Sequence, residues 1–195
     1  MRNITGVILA GGKSSRFGRD KCLHYYKGIP LFMNSLEILK KALTTGDNES
    51  SLSIIVSTNN LSAFREYNIR PVSDIYKNTG PLAGLHSALT AAATEAIAVI
   101  PCDTPFIHPD LYNFLLKNSG GFDAVIPTHG KYSEPLCGIY RKSCLIQFEK
   151  AIREGQLKIL DALNPLKVNF ADTRGEWFYS PDMFHNINRI SDIPS

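Results

Sequence analysis

Short aliphatic and β-branched runs alternate along this chain with longer segments in which apolar residues recur at helical spacing. Residues 4–10 (ITGVILA) are apolar at nearly every position, the pattern of a strand buried on both faces. Residues 31–43 (LFMNSLEILKKAL) place apolar side chains at 32, 36, 39 and 43, one stripe of a helix. The same reading predicts strands at 52–56, 69–72, 96–101, 122–127 and 136–140. It predicts further helices at 81–93, opened by Pro81 in the first turn, and at 109–117, with Asp110 near the start. Helices follow at 142–153 and 156–163, and two late strands at 166–170 and 183–187. Residues 44–53 (TTGDNESSLS) read as a surface connection. Strands alternating with helices imply βαβ units: an α/β, three-layer architecture with a mostly parallel sheet covered on both faces. No repeat, low-complexity tract or linker divides residues 1–195, which read as a single domain.

Ligands of such sheets bind at the carboxyl ends of the strands, so the residues that follow each strand carry the functional information. After the first strand comes LAGGKSSRFGRDK, residues 9–21, with three glycines, two serines and the cations Lys13, Arg16, Arg19 and Lys21. Its N–H groups and cations suit the oxygens of a phosphate chain; a solvated basic turn is the bland alternative. The loop is neither standard phosphate motif. From Gly6 to Gly12-Lys13-Ser14 is one residue too long for GxxxxGK[ST], and Gly6 lies inside the strand; Gly11, Gly12 and Gly18 do not form GxGxxG.

After the strand at 96–101 comes Cys102-Asp103-Thr104-Pro105. Asp103 is placed either to hold Mg²⁺ opposite the first loop or to serve as a cap or turn residue before Pro105. Asp74, after the short strand at 69–72, is a second carboxylate on the same edge, suited to metal, ribose or base, or simply a loop aspartate. Gly80-Pro81-Leu82-Ala83-Gly84 opens the next helix with small residues at an anion-favouring terminus, or is no more than a helix start. Histidines 24, 86, 108, 129 and 185 are scattered and are assigned no chemistry.

Composition narrows the class. Hydrophobic residues are 44% and charged residues 20% of 195, as in an ordinary globular protein. The net charge is +3 from 21 basic and 18 acidic residues, too small an excess for a dedicated nucleic-acid binder. No apolar run approaches the ~20 residues of a membrane span, and the N-terminal run lacks a signal-peptide core and cleavage site. With no CxxC pair and no export signal, the four cysteines, Cys22, Cys102, Cys137 and Cys144, read as reduced thiols of a cytoplasmic protein. Cys102 is the single candidate for a reactive one; its alternative is a small residue at a strand end.

The pieces combine in one resemblance. LAGGKSSRFGRDK is similar to the signature LAGGxSxRMGxDK of molybdenum cofactor guanylyltransferases, with Phe17 in the place of methionine. GPLAG at 80–84 and PCDTP at 101–105 match in order and spacing, and His185-Asn186-Ile187-Asn188 resembles the closing N-x-N strand of that family. The resemblance runs from about residue 4 to the end. It implies a Rossmann-like nucleotidyltransferase fold, with a mixed, mostly parallel central sheet. It also implies a reaction: the terminal phosphate of molybdenum-molybdopterin attacks the α-phosphorus of GTP, giving the guanine dinucleotide cofactor and pyrophosphate. The implied cofactor is Mg²⁺, held by Asp103.

By position, the resemblance puts Leu9, Ala10, Gly11, Gly12, Asn59, Asp74 and Gly84 against the guanine nucleotide. Arg16 falls on its phosphates and Lys21 on its phosphates or nucleoside, and with Asp103 they form the implied catalytic set. Glu134, Asn186 and Asn188 fall on the acceptor side, with structural roles at strand ends as the alternative. A transient contact with a molybdenum-insertion protein or a molybdoenzyme chaperone is implied by the family alone. The rivals are a cytidylyltransferase of the same pterin, which favours LAAG in the loop and lacks GPLAG; sugar-phosphate nucleotidyltransferases, which favour GxGTR; a P-loop kinase or NTPase; and a nucleotide-binding module without catalysis.

Overall fold

A computed structural model describes residues 4–11, 21–26, 28–44 and 52–187. In chain order the elements are β1 (Ile4–Leu9), β2 (Tyr25–Tyr26), β3 (Ile29–Pro30), α1 (Leu31–Leu43), β4 (Ile54–Ser57), β5 (Arg70–Val72), α2 (Pro81–Ala91), β6 (Ala96–Pro101), α3 (Asp110–Lys117), β7 (Ala124–His129), β8 (Tyr132–Ser133), β9 (Ile139–Arg141), α4 (Leu145–Arg153), α5 (Ile159–Leu163) and β10 (Val168–Asp172). Short 3₁₀ turns lie at Lys21–Leu23, Leu61–Tyr67, Pro135–Cys137 and Lys142–Cys144.

The sheet runs β5-β4-β1-β6-β9-β7-β10, with β8 hung on β7, and β2 and β3 pair as a separate two-stranded ribbon. β1 is central, parallel to β4 on one side and to β6 on the other. β9 is antiparallel to both its neighbours, so the sheet is mixed. Gly138, just before β9, allows this insertion: a Cβ there would stand 2.8 Å from the Val125 carbonyl oxygen.

Side chains of β1 alternate between two cores, as the pleat requires. Ile4 and Ile8 join Phe32, Leu36 and Leu39 of α1 and Leu111 and Leu115 of α3 on one face. Val7 and Leu9 join Leu82, Leu85 and Leu89 of α2 and Phe148 of α4 on the other. Gly6 sits inside β1, as expected, and its role there is packing. A Cβ at that position would lie 3.1 Å from Leu39 Cδ1 and 3.2 Å from Ile54 Cγ1, so glycine lets α1 lie close on the sheet. Among the described residues no helix is long and apolar enough to cross a membrane.

Several sequence expectations need correction; the strand expected at 122–127 is β7 at Ala124–His129 and the helix expected at 156–163 is α5 at Ile159–Leu163. The stretch 183–187 is no strand: Met183 and His185 make turn hydrogen bonds to Ser180 and Asp182, and the buried positions 183, 184 and 187 do not alternate. The expected strand at 136–140 is a 3₁₀ turn at Pro135–Cys137 followed by β9, because Pro135 has no N–H to give a ladder. The last strand lies two residues later than expected, at Val168–Asp172. The helix expected at 142–153 begins with a 3₁₀ turn, and α4 proper starts at Leu145.

One buried group outside the sheet ends predicts a pH effect. His86 on α2 is buried, its Nδ1 has no hydrogen-bond partner, and its ring meets Tyr76 edge to face. Burial holds its pKa below the ordinary value, partly opposed by the Glu149 carboxylate. The unfolded chain therefore takes up this proton first, and stability falls as pH drops through about 6.5, the unperturbed histidine value. His86→Leu should flatten that acid limb in urea unfolding curves taken between pH 7.5 and 5.5. An unchanged pH dependence would refute it.

Candidate active site

The strand order reverses at β1: β4 and β5 lie to one side, β6 and the rest to the other. Such a switch point opens a crevice at the carboxyl ends of the two strands that flank it, here β1 and β6. A backbone bond joins their ends, the Cys102 N–H donating to the Leu9 carbonyl at 3.1 Å.

On the β6 side, Lys21 Nζ donates to Asp103 Oδ2 at 2.6 Å. The two residues are 82 apart in sequence, one following the glycine loop and the other following β6. Their side chains are only 14% and 20% exposed, so water screens the pair less than it would a surface bridge. The turn that holds Asp103 is firmly set. Ser35 and Thr104 hydroxyls both donate to the Pro101 carbonyl, and the Ile187 N–H donates to the Asp103 carbonyl at 2.9 Å. The capping alternative for Asp103 does not hold, because its carboxylate receives the Lys21 ammonium and α3 begins only at Asp110.

On the β4 side, Ala10 N–H donates to the Ser57 carbonyl at 2.9 Å. Asn59 and Asp74 form a double hydrogen bond: Asn59 Nδ2 donates to Asp74 Oδ2 at 2.7 Å, and Asp74 N–H donates to Asn59 Oδ1 at 3.2 Å. Gly84 of α2 faces the same place. A Cβ on it would stand 3.0 Å from Ser57 Oγ, 3.5 Å from Leu9 Cδ2 and 3.8 Å from Asp74 Oδ1. Gly80, with φ +74°, turns the chain into α2 just before Pro81. Leu9, Ala10, Asn59, Asp74 and Gly84 are thus gathered at the ends of β1, β4 and β5, while Lys21 and Asp103 lie across β1 from them. Gly11 is exposed beside this group. Gly12, Arg16 and Asn188 lie outside the described residues.

On the far side of Asp103, Glu134 accepts from His129 Nε2 at 2.9 Å. The His129 ring stacks on Phe184, centroids 5.0 Å apart, which ties the segment bearing Asn186 to the end of β7. Burial first, and then the carboxylates of Glu134 and Asp103, push the Cys137 thiol far up. Sequence reasoning missed His129 and also Lys77, whose ammonium donates to Asn59 Oδ1 at 3.0 Å. Neither stands in a recognisable motif. Asn59 two residues past β4 was the only available signal for the Lys77 contact.

Among the described residues no group of three or more His, Cys, Asp or Glu side chains is arranged to hold a metal ion. One carboxylate nonetheless suits Mg²⁺, which keeps several waters and takes its other oxygens from substrate phosphates. Among the described residues Asp103 Oδ1 takes no hydrogen bond, which leaves that hard oxygen for a cation.

Residues 6–167 match the family described as MobA-like NTP transferase domain. The chain belongs to this family. It is 32% identical over 195 residues to a protein of Pelotomaculum thermopropionicum named "Probable molybdenum cofactor guanylyltransferase", covering 99% of this chain and 91% of that one. A Clostridium perfringens protein of the same name is 34% identical over 157 residues, covering 80% and 75% of the two chains. The fold is similar to the crystal structure of molybdopterin-guanine dinucleotide biosynthesis protein A from Archaeoglobus fulgidus. That likeness has a TM-score of 0.77 at 28% identity and covers 97% of this chain and 94% of the other. Membership makes this chain a nucleotidyltransferase and accounts for the mixed sheet with its switch-point crevice.

Proposed function

We propose that residues 1–195 act as one nucleotidyltransferase domain that moves GMP from GTP to the terminal phosphate of molybdenum-molybdopterin, with Mg²⁺. The observation that carries this reading is the 2.6 Å Lys21–Asp103 pair at the switch point: one cation for phosphate oxygens beside one carboxylate for a metal. An acceptor phosphate oxygen forms a bond to the α-phosphorus, the bond from the α-phosphorus to its bridging oxygen breaks, and pyrophosphate leaves. The acceptor phosphate is largely ionised at neutral pH, since its second pKa is about 6, so no side chain is needed as general base. Positioning and charge neutralisation then carry the catalysis.

Lys21 and Arg16 bind and orient the phosphates. The backbone of Leu9, Ala10, Gly11 and Gly12 lines the nucleotide. Asn59, Asp74 and Gly84 take the nucleoside, where the fixed Asn59–Asp74 bonds present a preset polar edge and Gly84 leaves room. Mg²⁺, held by Asp103 when bound, supplies positive charge to the phosphate oxygens. Glu134, Asn186 and Asn188 face the acceptor.

Product analysis tests the reading. Incubation with GTP, Mg²⁺ and molybdenum-molybdopterin should yield pyrophosphate and a pterin heavier by one GMP. Orthophosphate with GDP would replace this reading with γ-phosphate chemistry.

A further inference from the structure

Cys22 and Cys102 are 80 residues apart in sequence, yet their sulfurs stand 2.8 Å from each other. That is only about 0.8 Å more than a covalent S–S bond. Both side chains are buried, with Cys22 3% and Cys102 6% exposed. Their backbones are anchored. Cys22 lies in the 3₁₀ turn Lys21–Leu23, closed by the His24 N–H on the Lys21 carbonyl, and Cys102 donates its N–H to Leu9. Each cysteine is the immediate chain neighbour of a member of the charged pair, Cys22 of Lys21 and Cys102 of Asp103.

We infer that Cys22 and Cys102 form a reversible disulfide that reports oxidation directly to the Lys21–Asp103 site. The burial of both sulfurs favours a small oxidant such as hydrogen peroxide over a bulky disulfide. One thiol gives up its proton and its sulfur attacks a peroxide oxygen; the O–O bond breaks, and the departing hydroxide takes that proton and leaves as water, giving a sulfenic acid. The second thiol then attacks that sulfur, the S–O bond breaks, and a second water leaves as the S–S bond forms. Two electrons pass from the sulfurs to peroxide, and a dithiol reductant reverses the change by exchange. Closing the gap moves the backbone beside Lys21 and Asp103. Displacements on the order of 1 Å in such sites cost up to about a hundredfold in rate, so turnover should fall by about ten- to a hundredfold. The effect on turnover rests on the nucleotidyl-transfer reading of the charged pair; formation of the bond does not.

The test treats the full-length chain with hydrogen peroxide, then reads intact mass, non-reducing peptide maps and pyrophosphate release before and after dithiothreitol. The expected result is a loss of two hydrogens per chain and a peptide linking Cys22 to Cys102. The melting temperature should rise on the order of 10 °C from closing so long a loop. Turnover should fall and return with dithiothreitol. Cys22→Ser and, separately, Cys102→Ser should abolish the link and leave turnover resistant to peroxide. Independent oxidation of the two sulfurs without a link would overturn the inference. A link that leaves turnover unchanged would overturn its regulatory part. Reduced protein that links normally but never releases pyrophosphate would instead count against the proposed function.

Discussion

Asp103→Asn should lower kcat/KM for nucleotidyl transfer by about three orders of magnitude. The substitution keeps the shape of the side chain and removes the charge that serves both Lys21 and a divalent cation. Loss of one preorganised charge contact to a phosphoryl transition state typically costs 10²–10³-fold. A lost metal anchor adds to that, because the cation's Lewis acidity is worth several kcal/mol at the transition state. The same variant should bind GTP without metal within about threefold of the parent, since the nucleoside contacts assigned to Asn59, Asp74 and Gly84 lie across β1. Steady-state pyrophosphate release and metal-free GTP titration separate the two effects. Near-normal turnover would remove Asp103 from the metal.

Lys21→Met should cost about a hundredfold in kcat and raise the KM for GTP. Methionine approximates the lysine stem, so the packing of the 3₁₀ turn survives while the ammonium is lost. The partner then matters: Asp103, whose side chain is only 20% exposed, loses its 2.6 Å contact, and an uncompensated carboxylate beside phosphates repels them. Lys21→Arg should recover little, because a planar guanidinium does not reproduce a point charge at that distance. The double variant Lys21→Met with Asp103→Asn should be less impaired than the product of the single effects, as expected for two groups acting as one unit. Multiplicative losses measured by kcat/KM would show that the two act separately.

Much of this arrangement was legible in the residues because each strand ends in a chemically distinctive loop. The apolar runs at 4–10 and 96–101 read as buried strands, and both hold one; the stripe at 31–43 matched α1 to the residue. Asp74 and Asp103 were singled out from their place after strands and Gly84 from the small residues that open a helix; the first two follow β5 and β6, and Gly84 lies in α2 against Leu9 and Asp74.

What escaped the sequence depends on contact through space. The Asn59–Asp74 double bond gives Asn59 a partner 15 residues away, which spacing alone does not reveal. The Glu134–His129 pair needs the β7–β8 hairpin, and β8 is two residues long, too short for any periodic signal. The 183–187 stretch misled because Met183, Phe184 and Ile187 are apolar for core contact made from a turn, with no sheet neighbour to pair with. The sulfur pair is the clearest case: two cysteines 80 residues apart become neighbours only because the turn at Lys21–Leu23 meets the residues that follow β6.

The most direct test of the central claim is the nucleotide dependence of pyrophosphate release with Mg²⁺ and molybdenum-molybdopterin, comparing GTP with CTP, ATP and UTP. Guanylyl transfer predicts release with GTP at least about a hundredfold faster than with any other nucleotide, within reach of a site that pairs donors and acceptors with one base. Release with CTP instead would contradict it, and would show that the LAGG loop and the Gly80–Gly84 turn do not select guanine in this chain.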